Sequence, residues 1–310
     1  MSSTALELME KTMVPPDQPI PVMLHEALEY LNIQADDCII DATLGLGGHA
    51  LHIARAIGPQ GYLIGIDRDN LSLEVAKKNL GHFQKQTFFI HDDFRNINKI
   101  LDERGIEKVD GILFDLGISS FQLDDSSRGF SFKTNGPLDM RIDQMSFLSA
   151  YDLINSLSER ELSLILKNYG EERWHNRIAH DLVQRRSQSP IQTTSELRET
   201  VIKAMPKGHG HQKIDPATRT FQAFRIAVNR ELESLEIALN KAIPYVKDSG
   251  RICVISFHSL EDRIVKQTFR TFHREGIVRL ITKKPLRPGP EEVQRNPRAR
   301  SARMRVVEKI

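Results

Sequence analysis

The chain has 310 residues, 40% hydrophobic and 27% charged, enough to bury a core as one large or two modest domains. No apolar run approaches the roughly 20 residues that cross a bilayer, and the opening MSSTALELMEKTMVPPDQPIP has no basic region followed by an apolar core. A cytoplasmic protein with no membrane partner is therefore expected. The net charge of +2 is uneven: from Arg263 to Ile310, 14 Lys and Arg face 4 acids, a +10 segment that leaves −8 for the rest. Such a basic end suits a polyanion partner or a solvated surface, and charge alone does not choose between them.

Residues 1–20 read as a flexible extension. DDCIIDATLG is then a strand closed by an acid, and GHALHIARAIG a helix stopped by Gly58 and Pro59. GYLIGIDRD, QTFFIHDDF and KVDGILFDLG are further strands, separated by the helices NLSLEVAKKNLG and RNINKILDERG. Continuous apolar strands alternating with helices imply a parallel sheet covered on both faces, an open doubly wound α/β fold. From about residue 123 to 215 the alternation stops. Helix-like runs take over: SFLSAYDLINSLSERELSLILKNYG starting at Ser146, EERWHNRIAHDLVQRR, and TTSELRETVIKAM with Ser195 and Glu196 in its first turn. The pattern resumes with one long helix, TFQAFRIAVNRELESLEIALNKAI, the strand GRICVISFH and the helix SLEDRIVKQTFRTFH. Two β-rich segments, GIVRLITKKP and RSARMRVVEK, close the chain. The expected organisation is an α/β domain over 21–122 and 216–310, interrupted by a helical domain over 123–215. Cys38 and Cys253 sit in apolar strands away from any CxxC, as buried free thiols would. His209 and His211 in GHGH have no acid or cysteine cluster beside them, so no metal site is expected.

The loop GLGGHA satisfies the dinucleotide pattern, with Asp67 at a suitable distance beyond it, and leaves a dinucleotide and a methyl donor in contention. The acids decide between them. Asp41, Asp67, Asp92/Asp93 and Asp115 stand at four consecutive strand ends, where open α/β sheets bind ligands. Carboxylates repel a pyrophosphate but suit a ligand with an ammonium group, ribose hydroxyls and an adenine amine. S-adenosylmethionine has all three and no phosphate. DATLGLG also keeps the methyltransferase spacing, with Asp41, Gly45 and Gly47 in place and Thr43 at the first glycine position. Asp67 and one of Asp92 and Asp93 could instead cap helices. His49 and Phe94 could be ligand contacts or packed core. A nicotinamide-dependent dehydrogenase and a non-catalytic RNA-binding module are the rival readings; neither gives Asp41 and Asp115 a task.

Three longer stretches are more particular: FDLGISSFQLDDSSRGFSFKTNGPLDMRID (114–143), DPATRTFQAFRIAVNRELESLE (215–236) and ISFHSLEDRIVK (255–266). With DATLGLGGH, YGEER (169–173) and NPRARSARMR they resemble the MraW/RsmH family of bacterial 16S ribosomal RNA methyltransferases, from about Pro21 to the C-terminus. The resemblance implies a class I, Rossmann-like methyltransferase domain with an inserted helical domain. Its substrates would be S-adenosylmethionine and, in the small ribosomal subunit, the exocyclic N4 amine of a decoding-region cytosine. Donor-binding positions carried over from the family are Gly47, Gly48, His49, Asp67, Phe94, Asp115 and Gln122; Phe121 stands where the family usually has proline. Monomer and homodimer both stay open.

A cytosine amine shares its lone pair with the ring and is a weak nucleophile, so alignment and hydrogen-bond acceptors are what an enzyme can supply. Asp115 is the expected acceptor. Asp139 and Arg141 are expected to orient the base or a phosphate, with Phe130 or Phe132 stacking on it. His258, just past a strand end, could take the released proton or cap its helix. Lys283, Lys284, Arg287, Arg298, Arg300, Arg303 and Arg305 would grip the RNA backbone, with Arg173, Arg177, Arg185 and Arg186 widening that surface.

Overall fold

The computed structural model describes residues 21–206 and 215–310. The N-terminal extension and the histidines His209 and His211 lie outside these residues. The chain forms two compact units, one made of residues up to Gly117 together with Leu235–Ile310, the other of Ile118–Ser234.

In chain order the first unit contributes α1 (Leu24–Leu31), β1 (Cys38–Asp41), α2 (Gly48–Ala56), β2 (Tyr62–Asp67), α3 (Asn70–Leu80), β3 (Thr87–His91), α4 (Ile97–Asp102) and β4 (Val109–Asp115). The second holds α5 (Ser120–Asp124), α6 (Ala150–Ser156), α7 (Glu159–Gly170), α8 (His175–Gln188), α9 (Thr194–Ala204) and α10 (Thr218–Asn229). The division between units falls within α11 (Glu231–Ala242). The first unit then resumes with β5 (Val246–Ser256), α12 (Ser259–Arg274), β6 (Val278–Leu280), α13 (Pro290–Arg295) and β7 (Arg303–Lys309).

The strands make one seven-stranded sheet in the order β3-β2-β1-β4-β5-β7-β6. From β3 to β5 neighbouring strands are parallel, and β7 pairs antiparallel with both β5 and β6. The two β-rich closing segments are thus the antiparallel edge of a mostly parallel sheet. Strand order reverses between β1 and β4, which opens a crevice beyond their carboxyl ends. The period of two along each strand divides the apolar side chains between two cores. Ile40, Ile64, Ile112 and Val254 face one core with Ile97, Leu239 and Phe269. Ile39, Leu63, Leu113 and Ile255 face the other with Ile53, Leu73 and Met304. Each such buried side chain contributes roughly 1.5–3 kcal/mol, so the strand ends rest on a stiff platform. Cys253 is buried in the second core, whereas Cys38, expected to be buried, is only partly so; both are free thiols.

The second unit has its own core, including Leu138, Ile154, Leu166, Leu182, Val201, Phe221 and Phe224. The last two belong to α10, so this helix packs with the insertion although the sequence pattern grouped it with the sheet. Two further readings are corrected by local chemistry. The long run starting at Ser146 is two helices, capped by Ser149 and Ser158, whose hydroxyls pair reciprocally with Asp152 and Glu161 in capping boxes. The long helix before Pro244 is broken at Arg230, which takes a left-handed φ of 50°.

The segment before α6 is pinned from beneath. Arg128 is fully buried, and its guanidinium donates to the carbonyls of Arg141 and Ile142 at 3.0 and 2.8 Å. Asn229, also buried, donates to Met140 O at 2.7 Å and accepts from Ile142 N at 2.7 Å. These bonds hold Met140 at a φ of 60°, which a non-glycine residue rarely adopts. Asn229→Ala would leave both backbone groups buried and unpaired, so a loss of about 2–3 kcal/mol is expected in urea denaturation. A change below about 0.5 kcal/mol would contradict the pinning role.

Candidate active site

The crevice is built from the ends of β1, β2 and β4. Asp41 closes β1, and its carboxylate accepts from Thr43 N at 3.2 Å. Thr43 occupies the first glycine position of the loop pattern, and its hydroxyl accepts from Asp115 N at 2.6 Å, tying the β1 loop to the end of β4. Nothing in the sequence signalled that staple. Asp67, at the end of β2, accepts from Gly45 N at 2.7 Å and from Asp69 N at 2.8 Å. The cap of α3 is Asp69, which leaves Asp67 to clip the glycine loop to the sheet.

The loop enters α2 through Gly47, at a φ of 84°, where an added Cβ would sit 2.4 Å from Leu80 Cδ1. Gly48 is needed for packing, since a Cβ there would lie 2.6 Å from Pro21 Cγ. His49 follows in the first turn, buried. Its Nε2 lies 3.0 Å from the carbonyl of Val22 and its Nδ1 3.5 Å from Asp115 Oδ2. A carbonyl only accepts, so Nε2 carries the hydrogen and Nδ1 of the neutral ring presents a lone pair to Asp115.

Burial governs the ionisation of these groups. It pushes Asp41 up to about 7, helped by nearby Asp67, and Asp67 up to about 6, partly offset by the backbone N–H groups it accepts from. Asp115 is raised well above the carboxylate range by burial, and further by Asp41 and Glu261. Burial lowers His49 to about 4, so it is neutral at physiological pH. The raised Asp115 carboxyl therefore lies close to the imidazole lone pair. Asp115 keeps 24% of its side chain exposed, yet its Oδ1 is enclosed with no hydrogen-bond partner. Among the described residues, no lysine or arginine forms an ion pair with Asp41, Asp67 or Asp115.

Other expected site residues are committed elsewhere. Asp93 caps the turn at Phe94–Asn96 through Arg95 N and pairs with Arg68 and Arg95, each at 3.4 Å. Phe94 is partly buried, edge-on against Phe114 at 5.8 Å between centroids. His258 caps α12: Nδ1 accepts from Glu261 N at 3.4 Å, and Nε2 lies 3.1 Å from Glu261 Oε1. Nδ1 is therefore committed to the cap, while Nε2 is enclosed beside Glu261 without a hydrogen bond of its own. In the helical unit, Gln122 forms a capping box with Ser119 at the start of α5. Asp139 binds Arg141 through both carboxylate oxygens, at 2.9 and 2.7 Å, so the two residues expected to orient the base or a phosphate are paired with each other. Phe130 is buried core and unavailable for stacking, and Phe132 packs against Phe221.

The basic segment divides in two. Lys283, Lys284, Arg287, Arg298 and Arg300 are exposed. Arg303 and Arg305 instead bind Asp262, at 3.1 and 2.6 Å, because β7 lies beside β5 and brings them over the start of α12. Arg173 and Arg177 are exposed in the helical unit. Arg185 bonds Ser189, and Arg186 holds the carbonyls of Ile154 and Leu157, so these two brace helix ends.

A doubly wound sheet of this strand order, with a buried acid at the end of β1 and half-buried acids at the ends of β2 and β4, is the platform of a class I methyltransferase. The chain belongs to the MraW methylase family, which matches residues 18–310. Two curated proteins named ribosomal RNA small subunit methyltransferase H are similar to it, from Halothermothrix orenii and Geotalea uraniireducens. Each is 47% identical, across 94% of this chain and 98% of its own length. Among solved structures, Aeropyrum pernix fibrillarin with bound S-adenosyl-L-methionine aligns at 12% identity and a TM-score of 0.42, over 92% of this chain and 73% of its own.

A methylase needs a methyl donor, and the crevice fits S-adenosylmethionine. Three enclosed or half-enclosed carboxylates, none in an ion pair with a lysine or arginine among the described residues, match a ligand bearing a sulfonium and an ammonium group, and the enclosed Oδ1 of Asp115 needs a donor. The pH dependence follows with a definite sign. Between about pH 4 and 7 the folded protein holds protons on Asp41 and Asp67 that the unfolded chain has released, so their contribution to stability falls as pH rises. His49 acts oppositely, between about 4 and 6.5. Asp41→Asn should therefore gain stability relative to the unchanged protein as pH rises from 5 to 7.5, on the order of a few kcal/mol. Donor affinity of the unchanged protein, measured by calorimetry, should rise across the same window. Parallel stability curves for the two proteins would contradict the assignment.

Proposed function

We propose that the chain transfers a methyl group from S-adenosylmethionine to the exocyclic N4 amine of a cytosine in the decoding region of 16S ribosomal RNA. The names of the relatives support a small-subunit rRNA substrate, and the motif resemblance in 114–143, 215–236 and 255–266 supports the cytosine amine. The observation that carries the chemistry is the enclosed Oδ1 of Asp115 beside the lone pair of His49 Nδ1.

Bound S-adenosylmethionine supplies an electrophilic methyl on a sulfonium. Asp41 and Asp67, at the ends of adjacent strands, hold the ammonium and ribose ends by charge and hydrogen bonding, and Gly45 and Gly47 let the backbone approach closely. A cationic ligand favours the carboxylate form of Asp115. Oδ1 of the carboxylate then accepts an N–H of the target amine, which draws the nitrogen lone pair out of conjugation with the ring. As the N–C bond forms, that proton passes to Asp115, whose raised affinity for protons suits a general base near neutral pH. His258 is not required as a base in this scheme. The exposed Lys283, Lys284, Arg287, Arg298 and Arg300 bind RNA phosphates, while the bonded pair Asp139–Arg141 shapes the loop before α6 and orients the base indirectly.

Two experiments on small ribosomal subunits lacking the modification test this. Asp115→Asn keeps the shape of the side chain and removes an enclosed carboxyl, so melting should not fall while transfer falls at least about 100-fold. Unreduced transfer would remove Asp115 from the mechanism. Replacing Lys283, Lys284 and Arg287 together by alanine should weaken RNA binding and lower its dependence on log salt by about 2 to 3. Arg303→Ala should instead act through stability, since its partner is Asp262. An unchanged salt slope in the triple variant would relocate the RNA surface.

A further inference from the structure

The loop between Asp143 and Ser149 carries apolar side chains into solvent: Phe147 is 98% exposed, Met145 83% and Leu148 57%. Single exposed apolar residues need no explanation, but three within four positions do. The loop is also held firmly. Arg141, locked on Asp139, donates to Ser146 O at 2.8 Å, and Asp143 accepts from Met145 N at 2.9 Å. Ser146 N donates to Asp143 O at 3.1 Å, and the reciprocal Ser149–Asp152 bonds fix the far end. On the near side stand strained Met140, buried Arg128 and Asn229. A backbone constrained from both sides holds an apolar point outward when a floppy loop could have folded it inward.

We propose that Met145, Phe147 and Leu148 form a preorganised prong that stacks on unpaired bases of the RNA substrate, with Phe147 as the principal contact. The proposal rests on the rRNA reading above. Size favours RNA over a second copy of the chain. Three side chains offer on the order of a few hundred Å², well short of the about 800 Å² per partner that a stable protein interface buries. A stacked or wedged base needs only one or two side chains. Every base has an apolar face, so a prong of this kind adds affinity without reading sequence. It also complements the exposed cations of the basic segment, which hold phosphate, and its contribution is insensitive to salt.

The test uses the full chain with small ribosomal subunits and with their free RNA. Phe147→Trp places an indole at the tip, and its fluorescence, corrected for Trp174 by the unchanged protein, should be quenched on adding RNA. Phe147→Ala should raise KM for the RNA substrate about tenfold or more, the scale of one lost base stack, equally at low and high salt. Its melting temperature and its binding of S-adenosylmethionine should stay unchanged, and Phe147→Trp should restore KM. No quenching together with an unaltered KM would overturn the prong. So would sedimentation showing that the unchanged protein is a dimer and Phe147→Ala a monomer, which would make the prong a contact between copies. If RNA binds the unchanged protein and quenches the indole of Phe147→Trp, but neither protein transfers a methyl group to it, the catalytic reading fails and the prong stands.

Discussion

Three carboxylates stand at the ends of β1, β2 and β4, Asp41 buried and Asp67 and Asp115 half-buried, none in an ion pair with a lysine or arginine among the described residues, and much of the site's behaviour follows from that. Enclosing Asp41 and Asp115 there opposes folding, because each must either hold a proton or remain a poorly compensated charge, while backbone N–H groups and Arg68 partly offset the charge of Asp67. The two apolar cores beneath the strand ends offset the cost. What is stored is a demand for positive charge in a crevice whose backbone is already fixed by the Thr43 staple and by the Gly45–Asp67 bond. A ligand with a sulfonium and an ammonium group meets that demand, and a pyrophosphate would worsen it. In the proposed mechanism the same electrostatics that select the donor also prepare the acceptor, since deprotonating Asp115 frees an oxygen for the target amine.

The two compact units divide the labour along chemical lines. The sheet unit holds the ionisable groups and the exposed cations of the basic segment. The helical unit has few free charges near its 128–149 segment: Asp139 and Arg141 satisfy each other, and Arg128 is consumed by backbone carbonyls. What that segment offers outward is apolar. Under the proposals above, phosphate attraction and base stacking are separable contributions with different salt dependence, and they reside on different residues.

Much of this was legible in the sequence because it rests on short-range rules. Strand ends carrying Asp41, Asp67 and Asp115 can be read from apolar runs, and the positive φ of Gly45 and Gly47 from the loop pattern. What escaped reading depends on contacts distant in the chain. Thr43 looked like a departure from the glycine pattern, and only the pairing of β1 with β4 gives its hydroxyl the Asp115 amide. Arg303 and Arg305 looked like RNA ligands, and only the antiparallel return of β7 beside β5 brings them to Asp262. His258 and Gln122 were singled out for chemistry, yet both serve capping boxes; HSLE and SSFQ have the spacing that could have shown it. Ser149 and Ser158 also precede residues three positions on that complete their caps, and that reciprocal pattern was a better guide to helix starts than the apolar period. Gly48 was assigned to the donor by family resemblance, and its near contact with Pro21 supplies a packing reason instead.

The most direct measurement is to incubate the purified chain with labelled S-adenosylmethionine and small ribosomal subunits lacking the modification, then digest the RNA and identify the labelled nucleoside. N4-methylcytosine at a single position is the expected result. Label in another nucleoside would contradict the assignment of the amine, and no donor binding at all would contradict the reading of the carboxylate crevice itself.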